Sequence, residues 1–489
     1  MTNYDPASGA APPKPQTRHR LKRIVKRVGL SLVVLVAIAL AMKTYLDITS
    51  GSRLSRVLAE IDRSDPGWRW DELDAKRAAI PDAENGALQV EKAVGLLAKH
   101  WVQGLPQSNN KGTNEKLEDR LRDVPPYAQL TQVEAKNLGA AIQRAKPAVA
   151  EACLLDNLRT GHYQSILPES LLASSPTSQR EVARLMWLNA MLLAQDQKID
   201  EALQSGRCVL SAGISIGDYP GTGALLVRLA CRRVALSSIE RTLAQGQASE
   251  NALRTTQARL EEEEAQPILL HALRTERALC HESMGWLERG ELQRFAPGGA
   301  PSAAPSLPPL GGAIWKRSHA VLLEMMTEAV DIAGLPPEKQ KEGFEKLTSR
   351  VIGMVKNRPS LADWVMPPSV WVNLTLPAVL KVAESFLRNQ AELRCGIVAL
   401  AVERYRLAHG HWPDSLDQLV PMLLSGIPKD PFDGKAIRYR RLGDGVAIYS
   451  VGPDGIDDGG KADPSNPIKP GTDLVFRLWD AAKRRQPAK

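Results

Sequence analysis

The chain has 489 residues, 43% of them hydrophobic, and a formal net charge of +8. That is enough apolar material for a sizeable core, and the length alone suggests roughly three domains of about 150 residues. The positive charge is confined to the ends: Lys14, Arg18, Arg20, Lys22, Arg23, Lys26 and Arg27 are opposed only by Asp5, and Lys483, Arg484, Arg485 and Lys489 close the chain. The body between them is close to neutral and offers no electrostatic footprint for a phosphate backbone, so no nucleic-acid partner is expected. Cys153, Cys208, Cys231, Cys280 and Cys395 are far apart and contain no CxxC pair, which excludes a zinc or redox motif by spacing. Each sits in an apolar helical pattern as a small hydrophobe. The odd count prevents all five from pairing within one chain, although one long-range disulfide remains open if the body is exported.

Residues 1–17 are rich in Pro, Ala, Ser and Gly and begin a disordered basic tail that extends to residue 27. The uncharged run Val28–Met42 follows, and Tyr45 and Leu46 lengthen it while Lys26, Arg27 and Lys43 snorkel. Residues 28–46 are therefore predicted to be a single transmembrane anchor. The clustered cations before it keep the N-terminus in the cytoplasm and place the body on the periplasmic, extracytoplasmic side of the inner membrane. Ala39-Leu-Ala41 is an A-x-A site, so a cleavable signal peptide is the competing reading. The basic leader is long for one, which favours the uncleaved anchor.

Residues 52–294 read as an α-helical body. Leu54, Val57, Leu58 and Ile61 have helical spacing, and Asp65-Pro-Gly breaks the pattern before Trp68 and Trp70. A helix is expected over Asn85–Trp101, a polar loop over Pro106–Glu115, and two helices over Leu130–Leu158 interrupted near Pro147. Glu181–Ala194 and Ile199–Ala212 form an αα-hairpin across Gln195–Lys198. Thr222–Gln245 and Ser249–Glu264 pair across Gly246, and a last long helix runs from Pro267 to about Arg289. Paired helices with short connections suggest a hairpin bundle or a short solenoid, although no strict repeat is present. Residues 295–312 are a Pro/Gly-rich linker or loop. Residues 313–368 continue the helices, with Ile314–Ala333 and Lys339–Val355 amphipathic and Pro367-Pro368 closing the region.

Few motifs carry chemistry. Gly213-Ile-Ser-Ile-Gly217 fits the Gly-x-Ser-x-Gly pattern of a hydrolase elbow around Ser215, but that elbow needs a strand before it and a helix directly after it. Here a helix precedes and Asp218-Tyr-Pro220 follows, so a small-residue helix end is expected instead. His271, His281, His409 and His411 form no metal-ligand spacing, and His409 and His411 flank Gly410 at a helix end, where an imidazole meets the last carbonyls. Glu261–Glu264 is a solvated charged face. Asp454, Asp457, Asp458 and Asp463 cluster around Gly455, Gly459 and Gly460, a composition that suits either a calcium loop or plain Asp/Gly turns. No catalytic residues are assigned, and the chain is not expected to be an enzyme. An envelope hydrolase using the helical body is the alternative.

The last quarter combines a helix and a small sheet over residues 376–479, ahead of a basic tail at 480–489. Val382, Phe386, Leu393, Ile397 and Leu400 trace one helical face that stops at Gly410, with Pro413 beyond. Strands are expected at Ala436–Arg441 and Val446–Val451, turning at Gly443-Asp-Gly445. Ala401-Val-Glu-Arg-Tyr-Arg-Leu-Ala-His-Gly-His-Trp-Pro413, Ile427-Pro-Lys-Asp-Pro-Phe-Asp-Gly434, Tyr439 and Tyr449-Ser-Val-Gly-Pro-Asp-Gly455 resemble, in order and spacing, the C-terminal half of the major pseudopilin of bacterial type II secretion. The resemblance implies a helix packed on a small antiparallel sheet and an acidic calcium-binding loop at Asp454–Asp463. The prepilin-peptidase start of that family is missing, so pilus assembly is not implied. As a whole the chain looks like an uncharacterised bacterial membrane-anchored envelope protein. The expected fold is mainly α: a transmembrane helix, a helical hairpin bundle or solenoid-like body, and a pseudopilin-like α+β module. The expected function is to bind or scaffold other proteins, with an accessory role in a type II secretion or pilus-like system as the alternative.

Overall fold

The computed structural model describes residues 17–77, 79–98, 101, 117–164, 166, 168, 176–291, 294, 311–356, 370–463 and 469–488. The N-terminal tail as far as residue 16, the polar loop at 106–115, Pro367-Pro368 and nearly all of the 295–312 linker lie outside the described residues. Helix α1, Thr17–Ser64, is continuous for 48 residues, about 72 Å at 1.5 Å per residue. Its first part exposes apolar side chains at Val28, Leu30, Leu32–Val36, Ile38, Leu40 and Met42, with Tyr45 and Ile48 beyond them. Its last part is docked: Leu54, Val57 and Ile61 are buried with Trp68 against Ala320 and Leu323. The predicted anchor is thus one segment of a longer helix, which continues through Gly51 between the apolar and the amphipathic runs.

Short helices α2 (Trp70–Ala75), α3 (Gly86–Gly95), α4 (Leu117–Asp123), α5 (Gln132–Arg144) and α6 (Lys146–Cys153) follow. Asn85 caps α3 by accepting the Ala87 N–H, and Thr131 caps α5 with a capping box to Glu134. Pro147 sits in the first turn of α6, where its missing N–H costs nothing. Next come α7 (Ser178–Gln195), α8 (Ile199–Ile214), α9 (Thr222–Gln245), α10 (Glu250–Glu264) and α11 (Ile268–Arg289). Ser249 caps α10, and left-handed Gly290 ends α11.

Helix α9 lies at the centre of the body, touching α7, α8, α11, the C-terminal long helix and the sheet. It is enclosed on several sides, so it lacks the single apolar stripe of a surface helix. Its buried arginines and Gln245 are engaged, although Ser238 Oγ, Arg241 Nε and Gln245 Oε1 have no hydrogen-bond partner among the described residues. Arg228 forks onto Glu263 at 2.6 and 2.8 Å, and Arg232 reaches the same carboxylate at 2.6 Å. Arg241 donates to the carbonyls of Pro125 and Ala128, and Gln245 to those of Pro126 and Ala128. An all-round helix of this kind is enclosed by neighbours rather than exposed on one side, as a solenoid helix would be.

Helices α12 (Gly311–Ala333) and α13 (Pro337–Lys356) lead to α14, Val370–His409, which joins two buried clusters. Val379, Val382, Phe386 and Leu387 pack with α11, α12 and α13, whereas Leu393, Val398, Leu400 and Val402 pack with α7–α10. Strands β1 (Arg438–Leu442), β2 (Gly445–Ser450) and β3 (Leu474–Trp479) form an antiparallel sheet in the order β1-β2-β3. The hairpin turns on Gly443-Asp444, with Leu442 opposite Gly445. The third strand is additional to the two read from the sequence. Its inward Leu474, Phe476 and Leu478 keep the period of two.

The three motifs behind the pseudopilin resemblance are tied to one another. Asp430, fully buried, accepts from Ser450 Oγ (2.9 Å), the N–H groups of Phe432 (3.0 Å) and Val451 (2.9 Å), and Arg438 (3.0 Å). Tyr439 donates to the Pro413 carbonyl at 2.8 Å, and Trp412 donates to Asp480 at 2.7 Å. The basic C-terminal segment is also woven in. Arg484 is buried against Glu403 and donates to the Gly246 carbonyl, and Arg485 donates to the carbonyls of Ala244 and Gln195.

Candidate functional site

The connection from α8 to α9 runs through Ser215, Gly217 and Asp218, pressed against Thr160-Gly161. A Cβ on Gly161 would sit 1.8 Å from the Ser215 carbonyl oxygen, and one on Gly217, whose φ is +57°, would sit 1.8 Å from the Gly161 oxygen. Two backbones touch here, and only glycine allows it. Asn85 fixes the same corner, accepting from the His162 N–H at 2.9 Å and donating to the His162 carbonyl at 2.8 Å. Ser215 is buried, its hydroxyl donates to the Ala212 carbonyl at 2.7 Å, and it lines neither cavity described below. The Gly-x-Ser-x-Gly spacing is therefore a packing device at a helix end.

Two adjoining cavities open on this corner, of about 490 and 460 Å³. They share Thr160, Asp218 and His271. The first runs along the N-terminal turns of α9 and α11 and the end of α10, and is lined by Arg228, Glu263, Arg259 and Glu262. The second is walled by Trp70, Leu73, Ile80 and Pro220, with Arg77, Asp74 and Arg274 at its polar side.

The charges around this double cleft are held in fixed pairs. Arg77 forks onto Asp218 at 3.0 and 3.1 Å, meets Asp74 at 3.0 Å and donates to the Tyr163 carbonyl at 2.6 Å. Burial opposes its charge, but the two carboxylates prevail and hold its pKa above the ordinary value. The His271 Nε2 lies 3.2 Å from the Asp218 carbonyl oxygen. A carbonyl only accepts, so Nε2 carries the hydrogen. Burial pushes the His271 pKa down, keeping the ring neutral with its lone pair on Nδ1. Glu276 accepts from the Thr222 N–H (2.9 Å) and hydroxyl (3.0 Å), while Thr275 Oγ1 accepts the Gly221 N–H at 2.9 Å. Helix α11 thereby caps α9, and burial pushes the Glu276 carboxyl up. The arrangement suits recognition by shape, apolar contact and preset polar groups. None of the residues named at this cleft stood out in the sequence as a group, since they come from five separate segments.

The acidic loop is organised by hydrogen bonds of its own. Asp454 accepts from the N–H groups of Ile456 and Gly471, both at 3.1 Å. Asp457 accepts from the Gly459 N–H at 3.0 Å and from Arg438 Nε at 3.0 Å. The backbones of Asp458 and Gly460 donate to Asp473, a residue the sequence reading did not include, and Asp463 lies 3.8 Å from Lys469. Of these carboxylates only Asp458 has a buried oxygen, Oδ2, without a partner. A calcium ion takes six to eight oxygens. Among the described residues no group of three or more His, Cys, Asp or Glu side chains is arranged to hold a metal ion. N–H groups and Arg438 engage the oxygens of Asp454 and Asp457, whereas Asp458 Oδ2 is left for another partner.

His409 and His411 stand at the end of α14. His409 Nδ1 meets the Tyr405 carbonyl at 2.9 Å and its ring stacks on Tyr405, the helix-end role expected of it. His281 and His319 are hydrogen-bonded to each other at 2.9 Å, and His319 to Glu288 at 2.8 Å, beside Trp68. Burial, then the His319 charge, pushes the His281 pKa down to about 3. No family model, curated protein or solved structure matches the chain.

Proposed function

We propose that this is a single-pass, membrane-anchored envelope protein whose helical ectodomain binds other proteins and performs no catalysis. The observation that carries the reading is α1. The same continuous helix carries the exposed apolar run Val28–Met42 and a docked segment locked to the body. Arg53 forks onto Glu324 at 3.0 and 2.7 Å, and Asp65 meets Arg274 at 3.0 Å and also pairs with the buried Arg277. The anchor at residues 28–46 is 19 residues, about 28 Å as a helix, close to the roughly 30 Å of a hydrocarbon layer. The cations before it orient the N-terminus to the cytoplasm. The double cleft at Asp218 and His271 offers the ectodomain a concave recognition surface.

Retention in the membrane pellet at alkaline pH is expected, together with protease sensitivity of the body only from the outer side. Release of intact chain by alkali, or protection of the body in intact spheroplasts, would overturn the reading. A secretion or pilus-like machine is the partner class favoured by one feature: α14 packs on a three-stranded antiparallel sheet, and the pseudopilin-like motifs are joined by Tyr439 to Pro413 and Ser450 to Asp430. Crosslinking in the native envelope tests that class. The hydrolase alternative draws no support from Ser215, whose hydroxyl is committed to Ala212, and an activity lost in Ser215→Ala would revive it.

A further inference from the structure

Two of the five cysteines are neighbours. Cys153 ends α6 and Cys208 lies within α8, and the Cys208 thiol donates to the Cys153 carbonyl oxygen at 3.6 Å. The seam around them is held in register by a bidentate pair, Arg207 onto Asp156, at 2.8 to 3.2 Å. Cys153 is partly exposed and Cys208 is fully buried. Cys231, Cys280 and Cys395 are each buried, with no hydrogen bond to another cysteine among the described residues.

We infer that Cys153 and Cys208 are a disulfide-forming pair that staples the α5–α6 hairpin to α8 when the protein meets an oxidised thiol pool. The exposed member reacts first. The neighbouring Cys208 holds the Cys153 pKa below the ordinary value against burial and Asp156, while Cys153 and burial push the Cys208 pKa well up. The Cys153 thiolate attacks one sulfur of an external disulfide, forming a mixed disulfide and expelling one thiolate. Cys208 then loses its proton and attacks the Cys153 sulfur, closing the internal bond and expelling the second thiolate. The two protein thiols give up two protons and two electrons, and the external disulfide is reduced to two thiols. The bond closes a loop spanning 55 positions, and constraint of so long a loop in the unfolded chain raises stability. That the oxidised form is the native one rests on the extracytoplasmic reading above.

The test uses the full chain in detergent micelles, reduced, then exposed to oxidised glutathione, denatured and counted for thiols by maleimide mass shift. Loss of two thiols and a linked peptide pair containing Cys153 and Cys208 is expected, with a higher Tm than the reduced protein. Cys208→Ala and Cys153→Ser should each abolish the internal bond; the latter alters the partly exposed site, so folding survives in at least one variant. Retention of all thiols in the parent, or linkage through another cysteine, would overturn the inference. The same count is made on protein alkylated in native membranes. A bond that forms in micelles but is absent in membranes upholds the pair and defeats the extracytoplasmic placement instead.

Discussion

The Arg228–Glu263–Arg232 triad beneath the cleft and the Arg438 network at the acidic loop use the same ionic chemistry in opposite surroundings. Glu263 and Arg232 are 1% and 0% exposed, whereas Asp457, the outer partner of Arg438, has a side chain 49% exposed. In the triad, desolvation opposes the charge on Glu263, yet two guanidinium groups hold its pKa down to about 2. At the loop, water already solvates the outer carboxylate, so Arg438 adds order more than energy. Between these extremes stands Asp430, fully buried at the root of the same loop and holding Arg438 from inside. Burial, rather than the number of ion pairs, decides which of these contacts the fold depends on.

The sharpest way to break this comparison is Glu263→Gln. It strands two buried arginines and is expected to destabilise by about 3–5 kcal/mol in urea denaturation of the detergent-solubilised chain. Loss below ~1 kcal/mol would show that water reaches the triad. Asp430→Asn weakens four hydrogen bonds around one buried carboxylate. A loss of about 1–3 kcal/mol is expected from the same measurement. Asp457→Asn should cost less than ~1 kcal/mol, and less still at high salt. Calcium, titrated calorimetrically and followed by melting, is expected to produce no heat and no shift. A shift that Asp458→Asn removes would establish the calcium site instead.

Acid and base sharpen the same contrast. The folded pKa of Glu263 lies near 2, below an unfolded value of about 4.3. Its contribution is therefore complete above about pH 4.3 and lost as the pH falls toward 2. Glu240 has the opposite sign. It accepts the Arg477 N–H at 2.8 Å on the outer edge of β3, and burial pushes its pKa up to about 7. Its contribution is complete below about pH 4.3 and lost as the pH rises through 7. Glu240→Gln is expected to raise Tm at pH 8 and to leave it unchanged at pH 4, a small effect read by differential scanning.

Much of the helical framework was legible locally. Thr222–Gln245 has the bounds read from the sequence, Ser249 caps α10, Gly290 ends α11, and Gly410 follows the end of α14. These signals work because a cap or a left-handed residue acts within four positions of the backbone it serves. The β3 strand was missed although Leu474, Phe476 and Leu478 alternate, because a short strand is recognisable only with the neighbour it pairs. The cleft left no trace. Asp74, Arg77, Thr160, Asp218 and His271 are spread over nearly 200 positions, and no periodicity joins them.

The amino-acid order by itself determined the long apolar and amphipathic run of α1, the helix ends and the hairpin at Gly443-Asp444, all set by interactions between near neighbours. Only the tertiary structure decided which charges are buried and with whom: Glu263 between two arginines, Asp430 under Arg438, Glu403 against Arg484. A charged residue looks alike in sequence whether it faces water or the interior. The difference comes from desolvation, which depends on what the rest of the chain places around it.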